Sequence, residues 1–298
     1  MAKKKQRPFD GITPPYDVLL RGSQEMPIGL YHLHMATADQ LCRLHYSPGS
    51  FKAVREKLRV LCEHKYVQFD AMPTKKTRSP YYYTLDKLGF EYLEAAGLDV
   101  YKSFRSAKEV DKASLFVKHT LELNEIIISA ALLKRSSQSS WLEYFKHERE
   151  LKRTPYKVKW PSGNFSLVPD TLLIFRTIVP DGRQHRMPIV VEHDRGSEEQ
   201  QYFRRRIRAY LIMLRNEGYK ELFGIGGITI AFTTSAGVER LKKMREWTDK
   251  ELGETGEMKL GSLFYFTLVQ KPIDPVQIWV NTTWLPLYEN VAVALLGV

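Results

Sequence analysis

The sequence is poor in cysteine and has no long apolar runs. Its two cysteines, Cys42 and Cys62, have the spacing of neither a disulfide framework nor a zinc site. No apolar stretch reaches the roughly 18 residues that a membrane-spanning helix needs. The basic start of the chain lacks the apolar segment of a secretory signal. These features argue against a disulfide-rich secreted protein and a membrane protein, and they predict a cytoplasmic one.

Acidic residues are outnumbered by basic ones. The chain of 298 residues has 45 Lys and Arg against 34 Asp and Glu, which gives a net charge of +11 at pH 7. An excess of this size favours a polyanionic partner, and nucleic acid before a membrane surface. The basic residues are concentrated at the start of the chain and in residues 52–59, 75–78, 146–159 and 204–208.

The pattern of residues 36–64 predicts two helices separated by a turn. Thr37 is a suitable N-cap for the first helix, and residues 47–50 (Ser-Pro-Gly-Ser) form the turn. The second helix starts at Phe51 and ends near His64, with apolar residues along one face. Its opposite face carries the basic residues Lys52, Arg55, Lys57 and Arg59.

Two strand-like segments, 66–69 and 81–85, follow these helices. The loop between them holds Lys75, Lys76 and Arg78. This order predicts a winged helix-turn-helix domain, whose second helix enters a major groove about 12 Å wide while the loop reaches phosphates. An alternative is a helical hairpin with a β-ribbon that contacts protein, in which the basic residues are simply solvated.

The C-terminal half contains a predicted antiparallel hairpin. Two strand-like segments, 165–175 and 187–196, flank a turn that contains Asp181. If the turn is centred on Asp181, Asp170 lies opposite Glu192, and opposed residues point to the same face of a sheet. Asp194 shares that face because it lies two residues after Glu192.

Three carboxylates on one face repel each other unless a cation lies among them. Mg²⁺ or Mn²⁺, which favour oxygen ligands, would relieve this repulsion at Asp170, Glu192 and Asp194. Such an ion supports phosphodiester hydrolysis. The alternative is a charged hairpin edge, in which Glu192 and Asp194 pair with Arg195 or with the arginines of residues 204–208.

A helix predicted for residues 198–215 follows the hairpin. Its apolar positions assign inward-facing side chains to Tyr202, Ile207, Tyr210 and Leu211. Tyr210 is therefore interpreted as a packing residue rather than a nucleophile. The same helix presents cations that can meet phosphate, namely Arg204, Arg205, Arg206 and Arg208. A buried strand at 227–233, a further helix and a last strand complete a helix–sheet–helix layering.

The order of these motifs resembles the restriction-endonuclease-like PD-(D/E)xK fold. More narrowly, the sequence resembles the replication-relaxation family of plasmids and integrative elements. The residues that carry this resemblance follow the helix-turn-helix pattern and are His119, Asn124, Pro169, Asp170, Glu192, Asp194, Arg195, Gly196, Arg206 and Tyr210.

The resemblance implies a role for each acidic residue of the hairpin. Asp170 and Glu192 would be metal carboxylates, and Asp194 stands where a nuclease of this class has its lysine. Arg206 falls where the family tends to place a lysine, and an arginine offers charge but is a very poor base. The resemblance thus implies metal-dependent DNA nicking or cleavage in replication or DNA relaxation. Because neither place holds a lysine, the alternative is a non-catalytic initiator, regulator or accessory factor whose nuclease fold is kept only for DNA binding.

The expected fold is α/β, with an N-terminal winged helix-turn-helix and a restriction-endonuclease-like domain around a mixed central sheet. The expected segments are a basic flexible tail at 1–25, a winged helix at 26–100, a linker at 101–113 and a nuclease-like domain at 114–298. The expected partners are double-stranded DNA and other replication, transfer or recombination proteins, with a homodimer as an open alternative. No membrane partner is expected.

Overall fold

A computed structural model describes residues 24–72, 80–100, 114–160 and 163–296. The chain divides into two compact units, unit 1 up to Asn124 and unit 2 from Glu125 onward. This division lies within a helix, whereas the predicted linker at 101–113 lies outside the described residues. The predicted loop cations Lys75, Lys76 and Arg78, and nearly all of the predicted basic tail, also lie outside them.

Unit 1 is built from short helices and a small antiparallel sheet. Its elements are α1 (Glu25–Leu33), β1 (Ala36–Thr37), α2 (Ala38–His45), α3 (Phe51–Glu63), β2 (Val67–Ala71), β3 (Tyr81–Leu85), α4 (Lys87–Ala95) and the first part of α5 (Ser114–Leu132). Strand β3 pairs antiparallel with both β1 and β2.

Local sequence explains why α2 and α3 begin and pack where they do. The Thr37 side chain accepts a hydrogen bond from the Gln40 backbone, and the Gln40 side chain accepts one from the Thr37 backbone, so the two residues form a capping box. In α3, Val54, Leu58 and Leu61 are fully buried. The predicted N-cap, both predicted helices and the apolar face of the second are thus confirmed.

Unit 2 alternates strands and helices. Its elements, after the end of α5, are β4 (Ser140–His147), α6 (Glu148–Leu151), β5 (Tyr156–Trp160), β6 (Gly163–Leu167), β7 (Thr171–Ile178), β8 (Gln184–Asp194), α7 (Gln200–Arg215), α8 (Gly218–Phe223), β9 (Thr229–Thr234), α9 (Val238–Thr255), β10 (Phe264–Leu268), α10 (Pro275–Trp279) and β11 (Leu285–Pro286).

Six of the strands described for unit 2 form one mixed sheet, in the order β11, β10, β9, β8, β7, β4. Strands β4, β7 and β8 are antiparallel neighbours, whereas β8, β9 and β10 run parallel. The parallel strands are joined by the helices α7 and α9. The expected α/β class and mixed central sheet are confirmed.

The register of the β7–β8 hairpin agrees with the prediction. Thr171 pairs with Val191 and Arg176 with Arg186, which is the register expected for a turn centred on Asp181. The predicted single strand over 165–175 is wrong, because β6 ends at Leu167 and β7 begins at Thr171. Between them lies Pro169, which has no N–H group to donate to a ladder.

Unit 2 packs α7 and α9 against one face of the sheet. Leu172 and Ile174 of β7 join Ile207 of α7 in this core, whereas Phe175, the residue after Ile174, contacts Trp279 of α10. In α7 the buried aromatic residue of the first turn is Phe203, and Tyr202 is 55% exposed. The prediction of an inward Tyr202 is wrong, because Phe203 lies four residues before Ile207 and so shares its helical face.

Among the helices that the structure describes, none combines the length and the apolar character needed to cross a membrane.

Candidate functional site

The acidic residues of the hairpin gather at one end of β7 and β8. Asp170 immediately precedes β7, and Glu192 and Asp194 lie in the last three residues of β8. All three are buried, Asp170 to 9% exposure and Glu192 to 1%. Glu192 lies two residues beyond Val190, which packs in the α7-facing core, and strand parity turns Glu192 to the same face.

Asp170 is fixed by the backbone of the neighbouring strand. Its Oδ2 accepts a hydrogen bond of 2.7 Å from the backbone N–H of His193. The His193 ring in turn lies 2.9 Å from the hydroxyl of Thr233 on β9, measured from Nδ1 to Oγ1. The hydrogen bond from the His193 backbone holds the Asp170 carboxylate beside β8.

Both carboxylate oxygens of Glu192 accept hydrogen bonds from α7. The Tyr210 hydroxyl donates to Oε1, and the Arg206 guanidinium donates to Oε2 at 3.0 Å. Arg206 also donates to Glu198 at 2.8 Å. Arg206 and Tyr210 can act together because residues four apart lie on the same helical face.

Asp194 is held by α9. The Arg240 guanidinium donates to Oδ1 and to Oδ2, each at 2.7 Å, and the backbone N–H of Gly196 donates to Oδ1 at 2.7 Å. Arg240 donates further to the backbone carbonyl of Glu198 at 2.7 Å. This bidentate pair satisfies a buried carboxylate with two charge-assisted hydrogen bonds.

Burial and charge shift several pKa values in this cluster. Burial raises the pKa of Glu192 to about 8, opposed by Arg206 and reinforced by the negative charge of Asp170. Burial also raises the pKa of Tyr210 well above its ordinary value, and the adjacent Glu192 adds to this shift. Burial opposes the charge of Arg206, yet the carboxylates of Glu192, Glu198 and Asp170 together raise its pKa. Tyr210 is thus a hydrogen-bond donor and a poor nucleophile.

The predicted metal ligands already accept hydrogen bonds from protein groups, Asp170 through one oxygen and Glu192 and Asp194 through both. Both oxygens of Glu192 and both of Asp194 accept hydrogen bonds, so these carboxylates already have cationic partners, Arg206 and Arg240. In the part of the chain that the structure describes, no group of three or more His, Cys, Asp or Glu residues is placed to hold a metal ion. Arginines balance the clustered negative charge here.

The remaining arginines of α7 differ in their contacts. Arg204 and Arg208 both donate to the buried carboxylate of Glu251 on α9. Arg205 lies over the rings of Trp160 and Phe165, with its guanidinium carbon 4.9 and 4.7 Å from their centroids. These three cations were predicted to contact phosphate. In the structure, they connect α7 to α9 and to the β5–β6 hairpin.

The basic face of α3 is exposed to solvent in unit 1. Lys52, Arg55 and Arg59 are exposed, and Lys57 is half-buried with its ammonium 4.9 Å from the centre of the Tyr46 ring. Arg59 forms ion pairs with Glu56 and Glu63 on the same helix. Lys52 and Arg55 have no carboxylate partner among the described residues.

The sequence pattern did not indicate two residues of this site, Arg240 and Glu198. Arg240 is 46 residues from Asp194, and no local pattern links the two. Glu198 accepts from Arg206, and burial raises the pKa of its carboxyl group. For Glu192, the sequence did contain a signal of its partners. Arg206 and Tyr210 are four residues apart, which places both side chains on one face of α7.

Comparison with known families identifies a match over most of the chain. The sequence model of the family described as replication-relaxation matches residues 29–224, well over half of the chain. The match includes Asp170, Glu192, Asp194 and Arg206 and ends before Arg240. No curated protein matches the chain.

Proposed function

Because the chain belongs to the replication-relaxation family, we propose that it binds double-stranded DNA of a plasmid or mobile element and acts in its replication or relaxation. The observation that carries this proposal is the two-sided character of α3. One face is fully buried, and the other carries the exposed cations Lys52, Arg55 and Arg59. A helix of this kind can pack on its own unit and meet DNA at the same time.

In this proposal, unit 1 is a winged helix. Support comes from the element order α2, turn, α3, β2, β3, in which two antiparallel strands follow a pair of helices. Helix α3 then enters the major groove. The net charge of +11 adds long-range attraction for DNA.

The test is duplex binding by the full chain with Lys52, Arg55 and Arg59 replaced together by alanine. Loss of these cations should weaken binding about tenfold or more at moderate salt, because each phosphate contact releases counterions. A matched control removes the same number of cations from unit 2 by replacing Lys220, Lys242 and Lys259 with alanine, and it should weaken binding much less than the α3 variant does. Equal binding by the α3 variant would refute the assignment.

Unit 2 is proposed to be a nuclease-like fold that serves DNA binding without cleavage. Support comes from the hydrogen bonds that Arg206, Tyr210 and Arg240 donate to Glu192 and Asp194, since these occupy the oxygens that an ion would need. The chain would then act as an initiator, regulator or accessory factor that organises DNA for other proteins.

Metal-dependent nicking is the second candidate function. It is favoured by the proximity of Asp170 and Glu192, whose mutual repulsion contributes to the raised pKa of Glu192. The test is Mg²⁺- or Mn²⁺-dependent nicking of supercoiled plasmid by the parent and by Asp170→Ala. Nicking by the parent that Asp170→Ala lacks would establish this function and overturn the non-catalytic one.

A further inference from the structure

A groove of about 820 Å³ lies between α3 and the strands β2 and β3 of unit 1. This volume falls in the roughly 300–1,000 Å³ range of small-ligand sites. Its lining includes aromatic and basic side chains, namely Phe51, Lys52, Arg55, Phe69, Tyr81 and Tyr83. None of the uses proposed above for α3 requires the aromatic part of this lining.

The aromatic side chains are grouped by the strand register. Phe69 pairs with Tyr83 across β2 and β3, and Tyr81 lies diagonally opposite on the same face. The Phe69 ring centre lies 5.0 Å from that of Tyr81 and 6.3 Å from that of Tyr83. Tyr83 is buried, so the exposed part of this surface belongs to the other two rings.

Three of these aromatic side chains are unusually exposed. Phe69 is 52% exposed, Tyr81 50% and Phe51 44%. Aromatic residues gain much from burial, and exposed apolar surface grouped in one groove marks an interaction site. Recognition of paired bases in a major groove relies mainly on polar contacts to base edges. Ring faces suit a flat partner that can stack on them.

The charges around the groove favour an anion. Lys52 and Arg55 take no carboxylate partner among the described residues. Burial raises the pKa of the Tyr83 phenol, and the positive charge of the nearby Arg55 partly opposes this rise. The two acidic residues of the lining, Glu56 and Glu63, are both paired with Arg59. With three cations and two carboxylates, the lining carries a net charge of +1 beside exposed ring faces.

We propose that this groove binds single-stranded DNA, with an unpaired base stacked on Phe69 and Tyr81 and its phosphates at Lys52 and Arg55. The inference rests on the proposed DNA-binding function of unit 1 and adds a second form of DNA to it. Stacking on aromatic rings combined with backbone cations is how proteins hold single strands without reading their sequence. A factor in replication or relaxation meets such strands wherever a duplex is opened.

The test compares labelled oligo(dT) with a blunt duplex, by fluorescence anisotropy with the full chain. Phe69→Ala combined with Tyr81→Ala should weaken oligo(dT) binding by about fivefold or more, since a single stacked base is worth at least roughly that factor. Duplex affinity should stay within about threefold of the parent, because phosphate contacts dominate it. Tyr144→Ala, which removes an exposed aromatic residue of unit 2, should change neither affinity.

A second variant protects the test against misfolding of the double alanine variant. Phe69→Trp keeps a stacking surface, so it should retain oligo(dT) binding, and the fluorescence of the new indole should fall as oligo(dT) is added. An unchanged fluorescence with bound oligo(dT) would contradict stacking at this position.

The outcomes separate the two proposals. If the parent binds neither duplex nor oligo(dT), the proposed DNA-binding function fails. If it binds duplex but not oligo(dT), or if the double alanine variant binds oligo(dT) like the parent, only the single-strand proposal fails. A protein segment would then become the better occupant for the groove.

Discussion

Arg240 and Asp194 form a bidentate ion pair between the first turn of α9 and the end of β8, with both N–O distances at 2.7 Å. The Asp194 side chain is buried, and the Arg240 side chain is largely so, with 11% of its surface exposed. Removing one member of such a pair leaves the other charge buried and unpaired. This lowers the free energy of unfolding by more than the intact pair adds to it. The pair thus anchors α9 to the strand that carries the acidic cluster.

Arg240→Ala should destabilise unit 2 by about 3–5 kcal/mol, because it strands the Asp194 carboxylate. Chemical denaturation measures the change. Arg183→Ala is the matched control, since it breaks the exposed pair with Asp181 and should cost no more than about 1 kcal/mol. Equal small losses for both variants would mean that Asp194 is not held as described.

Glu192→Gln should make the stability of unit 2 less dependent on pH. The pKa of Glu192 is raised in the folded protein from 4.5 to about 8, so the folded chain holds this proton more tightly than the unfolded chain. Its contribution to stability is present below pH 4.5 and is lost as the pH rises through about 8. Thermal unfolding from pH 5 to 9 measures this loss.

Between pH 5 and 9, the Tm of the parent should therefore fall further than that of Glu192→Gln. A difference of 1 kcal/mol in the free energy of unfolding corresponds to about 2–4 °C in Tm. Glu257→Gln, a substitution at a carboxylate outside the cluster, should follow the parent. Parallel curves for the parent and Glu192→Gln would mean that Glu192 ionises at its ordinary pKa.

Tyr210→Phe should reduce stability by about 1–3 kcal/mol, because the buried Glu192 carboxylate loses a donor. Neither the parent nor this variant should form a covalent adduct with DNA, since Tyr210 is fully buried and its pKa is raised. Denaturing electrophoresis with labelled DNA detects such adducts. An adduct of the parent that Tyr210→Phe lacks would make Tyr210 a nucleophile after all.

The local part of this fold could be predicted from sequence. The capping pair of Thr37 and Gln40 sets the start of α2, and a turn centred on Asp181 sets the register that brings Asp170 beside Glu192. Both depend on residues close together in the chain. Strand parity then determines which carboxylates share a face.

The partners of those carboxylates were harder to predict. Arg206 falls within the arginine cluster that sequence offered as one option for Glu192, whereas Arg240 comes from a different helix, 46 residues from Asp194. A contact of this range depends on how helices pack on the sheet, which periodicity does not specify. Tyr202 was misplaced for a related reason, since shifting a helical face by one residue exchanges it with Phe203.

Arg55→Ala should weaken duplex binding more than Arg59→Ala. Arg55 is exposed without a carboxylate partner in the described part of the chain, whereas Arg59 is shared between Glu56 and Glu63. A cation already paired with carboxylates gives less to a phosphate. Fluorescence anisotropy at one salt concentration measures both variants, and a larger effect of Arg59→Ala would mean that its ion pairs open on binding.

The salt dependence of duplex affinity tests DNA binding through α3 most directly. The logarithm of the binding constant is measured against the logarithm of salt concentration for the parent and for the Lys52, Arg55 and Arg59 triple alanine variant. Each lost phosphate contact lowers the slope by about 0.9, so the variant should lose roughly 2–3 from it along with its affinity. The same slope and the same affinity in both proteins would contradict the account.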